Sequence, residues 1–279
     1  MSASSSRPRA KPRPDARGSA LIRSKADALA RAADERQPIA PIGDELAPLG
    51  VDGAYAVQER LTSRALAAGR RLVGRKIGLT SKAVQAQLGV DQPDYGMLFA
   101  DMEFGDGEEV PFARFIQPKV EAELAFCMER ELTDPQASLT EVIGAIAYVL
   151  PAIEIVDSRI AEWRISLLDT IADNASSGAY VLGGSPRRID SVDLRLCGMV
   201  LEHQGEPLST GCGAACLGHP LNAVVWLARR MAAAGRPLGP GDIVLSGALG
   251  PMVTVQPGAS YHARITGAGS VTASFGARA

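Results

Sequence analysis

The sequence predicts an α+β protein in which a helical N-terminal section precedes a mixed, β-rich body. Three observations carry that prediction. Apolar residues recur at helical spacing between residues 26 and 70, residues 114–128 alternate with a period of two, and the last forty residues break short apolar runs with tight-turn signals. Helices and strands mix without regular βαβ spacing, and no internal repeat is present.

Residues 1–25 carry Arg7, Arg9, Lys11, Arg13, Arg17, Arg23 and Lys25 against Asp15, a charge of +6 that leaves −8 for the remainder of a chain whose net charge is −2. Rich in Ser and Pro, this stretch has little apolar surface to offset its ordering entropy and is expected to be a disordered tail. It lacks the apolar core of a secretory signal. Residues 26–70 form the helical section, with Asp52 as a cap, Tyr55, Gln58, Leu61, Ala65 and Leu66 at helical spacing, and Gly69 as the left-handed stop.

Residues 71–279 form the β-rich body. Residues 72–79 read as a strand, Ser81 opens a short helical turn, and residues 91–96 make a Pro/Asp/Gly loop. Ser138 and Glu141 form a capping box before a helix expected over 138–150, which Pro151 ends, leaving 152–156 extended. A second helix runs from Pro220 to Gly235, the Pro-start and Gly-stop asymmetry. Strands are expected over 242–245, 252–255, 261–265 and 271–275.

Composition excludes several classes of function. Among 279 residues only His203, His219 and His262 are histidines, so a His-cluster metal site is ruled out and a bound metal would need carboxylates. Cys127, Cys197, Cys212 and Cys216 form no Cys-x-x-Cys and read as small buried hydrophobes in a reducing cytoplasm. No apolar run reaches 18 residues, so no membrane span is expected, and the acidic body argues against nucleic acid as a partner. There is no phosphate-binding Gly-x-x-x-x-Gly-Lys-Ser/Thr, no Gly-x-Ser-x-Gly elbow, and Gly211-Cys212-Gly213 reaches Cys216 where a dinucleotide site wants its third glycine.

The informative stretch is 119–126, KVEAELAF. In a strand, residues two apart lie about 6.6–7 Å apart on one face, so Glu121 and Glu123 project together and repel unless something positive lies between them. The alternative is a solvated strand face with incidental acids. Glu154 stands alone among Ile153, Ile155 and Val156 and needs a partner, either a shared metal or an Arg such as Arg159. Three carboxylates suit a hard divalent ion, Mg²⁺ or Mn²⁺, with positions left for substrate oxygens. Lys76, between Gly74 and Gly78, reads either as a donor to an anionic or carbonyl oxygen or as a surface lysine. Asp94 has a turn context that explains an aspartate locally, and Ser176 and Ser177 read as loop donors or turn residues.

Six blocks, GRKIGLTSKAVQAQLGVDQPDYGMLF, QPKVEAELAF, LPAIEIVDSRI, DNASSGAYVLGG, GHPLNAVVWLA and GDIVLSGALGPM, occur in the order found in the 2-oxopent-4-enoate (2-hydroxypenta-2,4-dienoate) hydratases. Over residues 45–279 the chain resembles that family, whose close relatives are the 4-oxalocrotonate decarboxylases, within the wider fumarylacetoacetate hydrolase group. Residues 247–252, GALGPM, look more hydratase-like. The resemblance implies a mixed β-roll or sandwich body of the fumarylacetoacetate hydrolase type, a homo-oligomer and a cytoplasmic enzyme. It further implies that Glu121, Glu123 and Glu154 hold Mg²⁺ or Mn²⁺, and that Lys76, Asp94 and Ser176 are catalytic. The implied reaction is hydration of 2-hydroxypenta-2,4-dienoate to 4-hydroxy-2-oxopentanoate in meta-cleavage catabolism of aromatic compounds, with association to a pathway decarboxylase or aldolase. The alternatives are 4-oxalocrotonate decarboxylation, acylpyruvate hydrolysis, and a non-catalytic oligomeric partner.

Overall fold

The computed structural model describes residues 15–88 and 90–278. Its helices are α1 (Ala16–Glu35), α2 (Gly43–Leu46), α3 (Gly50–Ala67), α4 (Lys82–Leu88), α5 (Leu139–Gly144), α6 (Leu167–Ala172) and α7 (Pro220–Ala233). The strands are β1 (Leu72–Gly78), β2 (Asp94–Phe99), β3 (Glu103–Gly105), β4 (Glu109–Val110), β5 (Lys119–Met128), β6 (Ile146–Val156), β7 (Ser177–Leu182), β8 (Gly198–His203), β9 (Glu206–Cys212), β10 (Ile243–Leu245), β11 (Val253–Thr254), β12 (Ser260–Ile265) and β13 (Gly269–Phe275).

The basic tail needs correction. Helix α1 begins at Ala16, inside the stretch expected to be disordered, because Asp15 Oδ1 accepts the Gly18 N–H at 2.7 Å and Ile22 extends the apolar stripe of Ala26, Leu29 and Ala32 by one more turn. A composition averaged over 25 residues hid that single isoleucine. Residues 1–14 lie outside the described residues, so the tail reading there has no structural counterpart. The stripe packs with Ala54 and Val57 of α3 and with Ile160 and Ile171 into a small core of its own. Gly69 has the expected positive φ of 85°, whereas Asp52 lies in the first turn of α3 rather than at its cap.

A second correction concerns residues 138–150. The Ser138 and Glu141 capping box forms, but its helix ends at Gly144 and the chain runs as one strand from Ile146 through Pro151 to Val156. Tyr148, Val149 and the residues after Pro151 are β-formers, and most of the strand is buried. Pro151 is tolerated because its carbonyl accepts from Gly183 N–H just past the end of β7, so the missing donor lies on that side and takes no bond from β5.

Two sheets organise the body. The larger follows the order β2-β1-β10-β5-β6-β7-β3, with β11 also paired to β5; the smaller follows β4-β13-β12-β8-β9. Alternate residues Val120, Ala122, Leu124 and Phe126 of β5 enter a continuous apolar core with Ile153, Ile155, Ala263, Val271 and Ala273. The opposite face of β5 is therefore free to carry Glu121 and Glu123. No helix among the described residues is long and apolar enough to cross a membrane. Cys197 and Cys216 are buried as expected, while Cys127 and Cys212 are half-buried, and all four are free thiols.

Candidate active site

The register of the large sheet assembles the carboxylates. Glu121 pairs directly with Glu154 across β5 and β6, and Glu123 lies two residues along on the same face. One carboxylate oxygen from each of Glu121, Glu123 and Glu154 lies within 4.8 Å of the other two. Between the stretches where β10 and β11 pair with β5, residues 246–252 bulge outward and keep contact through Ser246 N–H to the Leu124 carbonyl and Leu249 N–H to the Ala122 carbonyl. The bulge aims Gly247 N–H at Glu123 Oε2, 2.8 Å away. Gly247 has a φ of 101°, and a Cβ there would fall 2.3 Å from Thr80 Oγ1, so glycine is required for the chain to turn at this point.

Lys76 is no surface lysine: it is 3% exposed, and Gly74 beside it lets β1 lie against the Ile243 backbone of β10. Its Nζ lies 3.0 Å from Glu154 Oε1, an ion pair that lacks the alignment of a hydrogen bond, and it donates to the Ala175 carbonyl at 3.0 Å. Arg159, the other partner considered for Glu154, instead pairs with Asp173. Asp94 stands on β2 opposite Gly78 of β1, where any Cβ would fall 2.2 Å from its Oδ1. Thr170 Oγ1 donates to Asp94 Oδ2 at 3.1 Å. Ser176 Oγ is buried and has no hydrogen-bond partner.

Four carboxylates, Glu121, Glu123, Glu154 and Asp94, thus surround one ammonium. Burial raises Glu121 to about 7, against the pull of Lys76 and with help from Glu154; it also raises Glu123, which feels Glu154 and Glu121, and Glu154, where Lys76 opposes the shift. Burial raises Asp94 too, with Lys76 and the Thr170 hydroxyl opposing it. Burial works against the charge on Lys76, yet the combined field of Glu154, Glu121, Asp94 and Glu123 outweighs it and holds the ammonium protonated.

The donor set fits a hard divalent cation. Among the described residues Glu123 Oε1 and Glu154 Oε2 are buried without a hydrogen-bond donor, and Glu154 Oε1 has only the shared Lys76 ammonium, a costly arrangement that a cation relieves. Of the six residues singled out in the sequence, the structure brings Glu121, Glu123, Glu154, Lys76 and Asp94 into one cluster, and Ser176 follows Ala175, whose carbonyl meets Lys76. Several supporting groups had no signal of their own: Thr170, the Gly247 N–H, the turn at 174–176, and Gln58, whose amide links the Tyr95 and Ile171 carbonyls at 2.8 and 2.9 Å. Only the glycine inside an apolar run at 243–249 hinted at a close backbone approach.

Comparison with known proteins identifies the family. Residues 67–275 match the model of the fumarylacetoacetate (FAA) hydrolase C-terminal family. The chain is 58% identical over 254 residues, 91% of its length and 95% of the relative's, to the TodF product hydratase of Pseudomonas putida. It is 56% identical over 250 residues, 90% of its length and 93% of the relative's, to a 2-keto-4-pentenoate hydratase of Paraburkholderia xenovorans. Among solved structures, the 4-oxalocrotonate decarboxylase of Pseudomonas putida G7 complexed with magnesium and adipate superposes with a TM-score of 0.88 at 36% identity, covering 95% of this chain and 100% of that one. The chain belongs to the fumarylacetoacetate hydrolase family.

Proposed function

We propose that this chain is a divalent-metal-dependent hydro-lyase that hydrates 2-hydroxypenta-2,4-dienoate, the enol of 2-keto-4-pentenoate, to 4-hydroxy-2-oxopentanoate. The observation that carries the reading is the triad of half-buried Glu121 with buried Glu123 and Glu154, and a protonated Lys76 against it. The substrate class is supported by relatives named for 2-keto-4-pentenoate and 2-hydroxypent-2,4-dienoate hydration, at 56% and 44% identity.

Glu121, Glu123 and Glu154 would hold Mg²⁺ or Mn²⁺, which when bound supplies Lewis-acid stabilisation of negative charge developing on substrate oxygens. Lys76 donates from its ammonium to the 2-oxo oxygen, adding a fixed positive charge where the enolate develops. Asp94, held by Thr170 and kept toward its neutral form by burial, gives a proton to C5 as the 2-hydroxyl loses its own, and then passes a proton of the water that adds at C4 on to C3. The Ser176 hydroxyl offers one further donor to substrate. The all-carboxylate face makes an anionic substrate harder to admit without the metal, and Lys76 is the cation that meets it.

Decarboxylation of 4-oxalocrotonate is the second reading, favoured by the structural likeness to that decarboxylase. Leu196, Leu208 and Met252, exposed on and beside the edge strand β9, support assembly into a homo-oligomer. The purified protein with Mg²⁺ or Mn²⁺ is expected to consume the dienoate, followed by ultraviolet absorbance, to form 4-hydroxy-2-oxopentanoate and release no CO₂. Stoichiometric CO₂ from 4-oxalocrotonate, with the dienoate untouched, would move the assignment to the decarboxylase.

A further inference from the structure

Asn174, Ala175 and Ser176 are three consecutive residues in the left-handed region, with φ of 55°, 51° and 53°, and none is glycine. One such residue is uncommon and a run of three must be held by its surroundings. The Asn174 side chain does much of the holding. Its Oδ1 accepts the Met97 N–H at 2.7 Å and its Nδ2 donates to the Met97 carbonyl at 3.0 Å, the two-bond pattern of a paired strand residue, so the turn is stitched to β2 at the end of the large sheet. Gly96 allows the approach, since a Cβ there would fall 2.2 Å from the Asn174 carbonyl oxygen. Arg159 secures the base of the turn through Asp173 and through the Ser177 carbonyl, 3.1 Å from Nη1.

The reversed turn sets the direction of two groups. It points the Ala175 carbonyl at Lys76 Nζ, and in the next residue it buries the Ser176 hydroxyl, which has no hydrogen-bond partner among the described residues. A lysine on a flexible four-carbon stem has three donors and no inherent direction. Glu154 alone would draw it onto the triad; the Ala175 carbonyl fixes one N–H and thereby narrows the directions open to the other two.

We infer that Asn174 is a positioning residue for the hydration chemistry, acting through the left-handed turn to orient the Lys76 ammonium and the Ser176 hydroxyl. It makes no hydrogen bond to Glu121, Glu123 or Glu154, so its effect falls on the chemical step and not on the metal. The inference rests on the roles proposed above for Lys76 and Ser176.

The test uses the full chain with Mn²⁺ and compares Asn174→Ala and Asn174→Asp with the parent in kcat and KM on 2-hydroxypenta-2,4-dienoate, Mn²⁺ affinity by calorimetry, and thermal melting. Asp keeps the acceptor for Met97 N–H and loses the donor to the Met97 carbonyl, so it breaks half the clamp in an isosteric side chain. Both variants are expected to lose about 10- to 100-fold in kcat, the scale of an outer-layer partner, with KM and Mn²⁺ affinity within about threefold of the parent. A folded variant with kcat within about threefold of the parent overturns the inference. So does a parallel loss of Mn²⁺ affinity, or failure of both variants to fold, because either makes Asn174 a residue of the fold and not of the site. A parent that leaves the dienoate untouched while binding Mn²⁺ overturns the proposed function itself, a result visible before any variant is read.

Discussion

Arg159 with Asp173 and Lys76 with Glu154 are both ion pairs that bury a carboxylate, yet one is complete and the other is not. Both oxygens of Asp173 are satisfied, Oδ1 by Arg159 Nε and Oδ2 by the Arg159 N–H at 2.9 Å, while the remaining guanidinium nitrogens reach the Asp173 and Ser177 carbonyls. Burial still raises Asp173 to about 6, against the pull of Arg159. Glu154, by contrast, has the Lys76 ammonium 3.0 Å from Oε1, no donor on Oε2 among the described residues, and shares that one cation with three other acids. A finished pair locks a loop. An unfinished one, in an interior where unpaired charge is expensive, is kept for something that arrives later.

Changing the unfinished pair is expected to affect chemistry first. Glu154→Gln should reduce metal-dependent turnover to below about 10⁻³ of the parent, since the Lewis acid it helps hold is worth several kcal/mol of transition-state stabilisation. Chelation should do the same to the parent, with recovery on adding Mg²⁺ or Mn²⁺. Lys76→Met should cost about 10²–10⁴-fold in kcat, the range of a positioned proton donor, in steady-state assays. Changing the finished pair is expected to affect the fold. Arg159→Met leaves Asp173 buried without its cation and should cost about 3–5 kcal/mol in denaturant unfolding, with Mn²⁺ affinity of the folded fraction unchanged.

The smallest effect is one of pH. Glu121 is raised to about 7 in the metal-free chain, chiefly by burial, so below that pH a proton must leave before the metal enters. Mn²⁺ affinity is expected to rise at least about tenfold per pH unit up to about 7, with proton uptake by buffer seen in calorimetry. Folding stability runs the other way. Because the folded pKa lies above the unfolded one, the metal-free native state binds more protons between pH 4.5 and about 7, so this group makes it more stable as pH falls through that window.

The same contrast separates what could be read from sequence and what could not. The β5 alternation and the lone acid among Ile153, Ile155 and Val156 made Glu121, Glu123 and Glu154 visible, because a period of two and a charge among aliphatics are local signals. That Glu121 faces Glu154 depends on strand register, and the partner of Glu154 was open between a metal and Arg159; only the tertiary structure gives Arg159 to Asp173. The roles of Lys76, Asp94 and Ser176 were suggested by family resemblance, since a lysine between glycines and an aspartate in a turn look ordinary in one dimension. Asn174 lay in a quoted block and in a turn context but had no role read for it, because three consecutive left-handed residues without glycine are set by tertiary contacts. The helix expected over 138–150 failed halfway because burial outweighed a correct capping signal, and the tail reading failed at Ala16 because one isoleucine joined a stripe that begins earlier than composition suggests.

The central claim is that the carboxylates left unsatisfied on β5 and β6 form one metal site. Calorimetric titration of the metal-free protein with Mn²⁺, beside Glu154→Gln with a matched melting curve, tests it most directly. One Mn²⁺ should bind per chain in the parent and none in the folded variant at the same concentrations. A folded Glu154→Gln protein that binds Mn²⁺ as tightly as the parent would contradict the account.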